Sequence, residues 1–341
     1  MKSRTRLTGI TAALGMLILI LDSKTAISGA YEGIELCLKT LVPSLFPFFV
    51  LSILVTSSLS GSSVALLRPV GRLCGVPQGA ESLLAVGLLG GYPVGAQNVK
   101  LAYEAGRISK SDAQRMLCFC NNAGPAFLFG IIGPAFGSAG APWALWGIHI
   151  ASALIVGTLI RGGAAQARRQ TETSSLTLTQ ALQKSVTVMA YVCGWVVLFR
   201  MILTYLDQWF LWMLPTQTRV AVSGILELSN GCVQLNLIKN TGLRFILASV
   251  FLSLGGVCVA LQTASVTQGL SLKTYFPCKL LQAAVSFLLA AAVQYLLPVS
   301  QTCTLSPVLM AAVFVFTIIL AAFLRKPQKS SSIPVSVGVY S

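Results

Sequence analysis

Charge is scarce in this chain, and acidic charge scarcest of all. Of its 341 residues only 10% are charged, and only nine are Asp or Glu. A soluble domain carries roughly 25% charged residues, so an ordinary water-soluble enzyme or binding module is excluded. The single histidine, His149, cannot complete a metal centre. Cysteine is present nine times, at positions 37, 74, 118, 120, 193, 232, 258, 278 and 303, scattered mostly through apolar segments. The Cys118-x-Cys120 spacing suits neither zinc nor redox chemistry, so no metal centre and no disulfide framework is expected. These cysteines read as small hydrophobes between helices. Enzyme signatures are also missing: there is no G-x-S-x-G, no Walker loop and no G-x-G-x-x-G behind a strand. The expectation is therefore no enzyme, no catalytic residue, no cofactor and no ATP hydrolysis by the chain itself. No basic patch interleaved with aromatics offers a platform for nucleic acid, which is not expected as a partner.

What the chain has in abundance is apolar sequence, 55% of residues with a mean hydropathy of +0.79. That makes it an all-α, polytopic, multi-pass integral membrane protein whose surroundings are the lipid bilayer. The net charge of +15 follows from the cytoplasmic bias of Lys and Arg, which cluster at Lys2/Arg4/Arg6, Arg68/Arg72, Arg107/Lys110/Arg115, Arg161/Arg168/Arg169/Lys184 and Arg325/Lys326/Lys329. Both termini are placed in the cytoplasm.

The chain is organised around Gly87 to Gly133, apolar sequence broken at Gly90-Gly91-Tyr92-Pro93-Val94-Gly95 and again at Asn121-Asn122-Ala123-Gly124-Pro125. Pro93 and Pro125 lack a backbone donor and the glycines free the backbone to turn. Backbone opened at membrane depth persists only where it is buried in protein or lines a wet cavity. This stretch therefore reads as the core of a solute pathway.

Taken in order, residues 1–40 hold a first crossing (Leu7 to Leu21) and an amphipathic surface helix (Ser23 to Thr40). The apolar run behind Lys2, Arg4 and Arg6 also fits a signal peptide, with Ala26-x-Ser28 as cleavage triplet; the uncleaved crossing is preferred. Residues 41–161 form a first repeat, with a crossing opened by Pro43 and Pro47, a helical hairpin at 80–106 whose arms are too short to span, a broken helix at 110–136 and a return crossing. Ser109 and Asp112 form an S-x-x-D capping box at the start of that broken helix. A polar linker covers 162–184. Residues 185–297 repeat the order, with a hairpin at 219–238 around Glu227-Leu228-Ser229-Asn230-Gly231 and a broken helix at 243–264 interrupted by Ser253-Leu254-Gly255-Gly256. A last transmembrane helix (298–324) and a disordered tail (325–341) complete eight crossings and two re-entrant hairpins. The two repeats enter from opposite sides and are inverted, as in many secondary transporters.

Candidate binding residues follow from the breaks: Gly91, Tyr92, Gly95, Gln97, Asn121, Asn122, Glu227, Ser229 and Asn230. Half-helix N-termini and neutral amides suit a carboxylate or polar heterocycle, so a small anionic solute is the expected partner. Glu227 is the one acid near the middle of an embedded segment, where a charge costs roughly 2.5–3.5 kcal/mol; it either couples ion binding or caps the tip amides. Lys100 and Glu104 read as an i,i+4 pair on a mouth helix, Arg200 as snorkelling or anion-attracting, and His149 as a satisfied packing residue on an apolar face.

At these residues the chain resembles the YlbJ (SpoVV) family of sporulation integral membrane proteins. The resemblance runs from about residue 7 to 325 and is carried by PSLFPFFVLSILV (43–55), GGYPVGAQNVKLAYEAGRIS (90–109), MLCFCNNAGPAFLFGIIG (116–133), ELSNG (227–231) and SLGGVCVALQ (253–262). It implies the nucleoside-recognition gate superfamily, similar in plan to concentrative nucleoside transporters. It also implies movement of dipicolinic acid from mother cell to forespore across the outer forespore membrane. A nucleoside or other small heterocycle or carboxylate carrier, and a non-transporting sporulation membrane scaffold, are the alternatives; the cell membrane is the alternative location, and a homo-oligomer is compatible with each.

Overall fold

The computed structural model describes residues 2–59, 65–137, 140–162 and 176–296. The expected last transmembrane helix, the tail and the linker from 163 to 175 lie outside them. Among the described residues the chain is helical, with no strand. Five helical runs are long and apolar enough to cross a membrane: Ser23–Val55, Gly140–Leu159, Leu178–Trp209, Thr241–Val266 and Tyr275–Leu296. The protein is a multi-pass integral membrane protein.

Helix α1 (Lys2–Leu21) leads through Asp22, whose carboxylate accepts the Thr25 N–H, into α2 (Ser23–Leu36). Here the structure refines the sequence reading, because α2 is not set apart from the helix that follows it. It continues through a π-turn at Cys37–Leu41 into α3 (Val42–Leu59). Pro43 has no N–H for the carbonyl four residues back, and the Val42 N–H just before it reaches five residues back to Cys37. Two carboxylates of α2 are ion-paired. Glu32 takes the guanidinium of Arg200, and Glu35 takes Lys39 at 2.5 Å. Gly29 and Gly33 let α2 lie against α10 (Leu178–Trp209), where an added Cβ would stand 2.8 Å from the Cα atoms of Met201 and Val197. α10 also begins earlier than expected. A Thr177–Gln180 capping box starts it, so the last residues assigned to the linker are helical.

After α4 (Arg68–Leu73), helices α5 (Glu81–Leu89) and α6 (Val94–Glu104) form a short hairpin turning at Gly90–Pro93, where Gly91 has φ 78°. Helix α7 (Lys110–Leu117) opens with the predicted cap, Ser109 Oγ accepting the Asp112 N–H at 3.0 Å. It stops well short of a crossing. Residues 118–124 are irregular before α8 (Pro125–Ala135) starts on its proline. α9 (Gly140–Leu159) follows. In the second half, α11 (Thr216–Leu226) and α12 (Leu228–Gln234) meet at Glu227. α13 (Thr241–Leu254) and α14 (Gly256–Val266) are separated by left-handed backbone at Gly255 and Gly256 (φ 74° and 76°), a conformation that favours glycine. α15 is Tyr275–Leu296. Against the eight crossings expected, five runs among the described residues have crossing length, because the apolar part of α1 is only Gly9–Leu21, α7 and α8 are two short pieces, and the final segment lies outside.

Each hairpin is pressed onto a break. A Cβ at Gly87 or Gly95 would come within 2.4 or 2.2 Å of the Cys120 carbonyl oxygen, and one at Gly256 would meet the Ile225 carbonyl at 3.0 Å. Gly95→Ala is therefore expected to destabilise the protein by about 1–3 kcal/mol, the usual cost of overpacking. Gly194→Ala on α10, where nothing lies within 4 Å, is expected to be neutral or slightly stabilising. Thermal unfolding of the two variants in detergent checks the contrast.

Candidate functional site

The first break turns its polar side chains inward. Asn121 Nδ2 donates to Thr263 Oγ1 (2.9 Å) and Tyr275 OH (3.1 Å), while its Oδ1 accepts the Ala96 N–H (3.3 Å). Asn122 Nδ2 donates to the carbonyls of Phe119 (2.7 Å) and Gly87 (3.2 Å), and its Oδ1 accepts from Gln282 Nε2 (3.2 Å). Both asparagines have no exposed surface. They thus stitch break, hairpin, α14 and α15 together, as buried amides must if they are not to cost folding energy.

At the centre lies a residue that the sequence reading passed over. Lys279 on α15 is 2% exposed. Its Nζ donates to the Asn121 carbonyl (2.5 Å) and Gln282 Oε1 (2.8 Å), lies 3.4 Å from Asn122 Oδ1 and 3.5 Å from Tyr92 OH, and is 5.4 Å from the centre of the Tyr92 ring. Among the described residues no carboxylate is within ion-pair distance of it. A buried charge without a counter-charge is expensive and is a functional candidate by default. The signal was in the sequence: Lys279, Gln282 and Ser286 recur at helical spacing along one face of an otherwise apolar run.

His149 is also placed differently from expectation. It is buried and satisfied, but in a polar chain rather than on an apolar face. Its Nε2 accepts the Ala123 N–H (3.1 Å), which puts the ring proton on Nδ1, 3.1 Å from Ser253 Oγ. Ser253, Ser286 and Ser152 continue the chain at 2.5 and 2.9 Å. The first break is in this way wired to the end of α13 beside the second. Tyr92 makes a second link, donating to the Leu252 carbonyl at 3.1 Å.

Glu227 caps α12. Its carboxylate accepts the N–H groups of Ser229 (3.0 Å) and Asn230 (2.6 Å) and the Asn230 side-chain amide (2.8 Å). It also lines a small cavity of about 40 Å³ between the hairpin tips, together with Gly91, Tyr92, Ser229 and Gln262. That volume holds a few waters at most, whereas small-molecule pockets span roughly 300–1,000 Å³; the tips are closed on one another. Of the predicted site residues, Gly91, Tyr92, Glu227 and Ser229 meet at this cavity. Asn121 and Asn122 belong to the Lys279 cluster behind Tyr92, and Asn230 holds Glu227. Gly95 is a packing contact, and Gln97 is half-buried on α6 away from the cavity.

A larger polar vestibule of about 480 Å³ opens beside α11, lined by Glu32, Arg200, Asp207, Arg219 and Ser223 among others. The Arg200–Glu32 and Arg219–Asp207 pairs neutralise it, so Arg200 is ion-paired in the vestibule wall. It reaches Ser223, whose carbonyl accepts the Glu227 N–H at 2.7 Å. Lys100 and Glu104 are paired at 3.0 Å, as their spacing suggested.

Asn122→Ala orphans the carbonyls of Gly87 and Phe119 and an amide of Gln282. It is expected to destabilise by at least the ~1–3 kcal/mol of one lost buried partner. Gln97→Ala, which removes no side-chain hydrogen bond among the described residues, is expected to stay within about 0.5 kcal/mol of the parent. Unfolding midpoints of the purified variants separate the two classes of sequence-predicted residue.

Among curated proteins, the chain is similar to the sporulation integral membrane protein YlbJ of Bacillus subtilis (strain 168), with 33% identity over 135 residues. The match covers 38% of this chain and 31% of that protein, so it spans about a third of the relative's length. No family model and no solved structure matches. Over the matched segment, then, the similarity is to an integral membrane protein of sporulation.

Proposed function

We propose that the chain is a sporulation carrier that moves a small organic anion, dipicolinate, from mother cell toward forespore across the outer forespore membrane. The observation that supports this most is the convergence of the first hairpin tip, the first break and α15 on Lys279, which has no carboxylate partner among the described residues, with the second tip meeting the first at the cavity beside Tyr92. Opened backbone and an intramembrane charge are costly, and they are retained where a solute is handled. The similarity to the B. subtilis sporulation integral membrane protein supports the sporulation setting, and the motif resemblance supports the substrate.

In this reading the two halves are inverted repeats and the hairpins are re-entrant. The polar vestibule, at the end of α10 remote from the cytoplasmic linker, releases the solute along α11, and the Glu227 and Tyr92 tips part to let it through. Lys279, held by Asn121, Asn122 and Gln282 behind Tyr92, supplies positive potential for a flat dianion. The small tip cavity is the closed state of an alternating-access cycle, and the chain performs no chemistry on its cargo. A nucleoside carrier would use the same tips, and competition by uridine tells the two substrates apart.

The test is the dipicolinate content of spores from a host lacking this chain. Low content restored by externally added dipicolinate is the expected result. Complementation with Ser229→Ala, scored against its membrane abundance, is expected to return less dipicolinate than the parent. Normal content in the deletion host contradicts the assignment.

A further inference from the structure

We propose that the oxygens at the first break form a monovalent-cation site that the chain fills with its own ammonium, Lys279. This inference rests on the carrier reading, and its test is built to separate the two. Four oxygens from three elements surround Nζ: the Asn121 carbonyl at 2.5 Å, Gln282 Oε1 at 2.8 Å, Asn122 Oδ1 at 3.4 Å and Tyr92 OH at 3.5 Å. All are neutral. The Asn121 carbonyl belongs to unwound backbone, and no backbone N–H among the described residues bonds to it. An unwound carbonyl with side-chain oxygens around it is the donor set with which discontinuous helices hold Na+, and hard monovalent and divalent cations take oxygen ligands of this kind.

A lysine serving packing alone reaches the interface or pairs with a carboxylate. Lys279 does neither: it is buried from end to end and its partners are neutral oxygens, two of them within 2.8 Å. Its position also couples the site to the tip. Tyr92 lies against Nζ and also lines the tip cavity, and its hydroxyl is bonded to the Leu252 carbonyl near the second break. The resident ammonium therefore holds the first hairpin closed on both breaks. It also supplies the positive charge that an anionic cargo needs in an apolar interior, so no Na+ has to be recruited.

The experiment uses the full chain, purified in detergent, with thermal unfolding measured in NaCl, LiCl, KCl and choline chloride at equal ionic strength. The parent is expected to show no shift between salts. Lys279→Ala is expected to unfold at lower temperature in choline chloride and to recover in one of the small cations, because a ligand that binds only the folded state raises its stability. Lys279→Met fills the space without charge and is expected to remain low in every salt. A parent that needs Na+, or a Lys279→Ala protein that responds to none of the cations or cannot be obtained folded in any of them, overturns the proposal. Dipicolinate uptake into proteoliposomes is measured in parallel. Cation-specific recovery of Lys279→Ala stability without any uptake by the parent keeps the cation site and removes the carrier reading.

Discussion

The fold depends on one contact, the seating of the first hairpin on the carbonyl of Cys120. Gly87 and Gly95 bring two helices to within a distance that excludes any Cβ, and this closeness lets Asn122 reach the Gly87 carbonyl while Ala96 reaches Asn121. The asparagines in turn can be buried only because Thr263, Tyr275 and Gln282 complete their hydrogen bonds. Break, hairpin and α15 are thus mutually required. Separating any one leaves amides or carbonyls unpaired in an apolar interior.

A second set of contacts joins the halves. Tyr92 bridges from the first tip to the second break, and the His149–Ser253–Ser286–Ser152 chain runs parallel to it. Glu227 spends its charge on the amides that open α12. Arg244 does likewise at the far side, donating to the carbonyls of Ala135 and Ile238. Most ionisable groups in the interior have such local duties. Lys279 differs in what it joins: at 2% exposure its Nζ gathers oxygens from the first break, α15 and the first hairpin tip at one point.

The breaks and hairpins were legible because Gly, Pro and Asn at Gly90–Gly95, Asn121–Pro125 and Ser253–Gly256 contradict the apolar sequence around them. The cap at Ser109 and the pair at Lys100 and Glu104 followed from local spacing alone. What escaped depended on distant partners. The charges of α2 looked solvated until Arg200, 168 residues away, was seen to neutralise Glu32. Asn121 and Asn122 were read as facing a ligand, yet their partners on α14 and α15 lie more than 140 residues on. Lys279 was legible in principle, as a lone cation in a helix with Gln282 and Ser286 on its face.

The central claim is that the hairpin tips are where a solute is handled rather than a sealed structural core. It is tested most directly by placing a cysteine at Ser229, in the tip cavity, and measuring its reaction with a membrane-impermeant thiol reagent. The parent protein serves as blank, since seven of its eight described cysteines are buried and Cys193 is half-buried. The account predicts that Ser229→Cys is modified in membranes and that dipicolinate slows the modification. Absence of labelling from both sides of the membrane, with the variant folded and inserted, contradicts it.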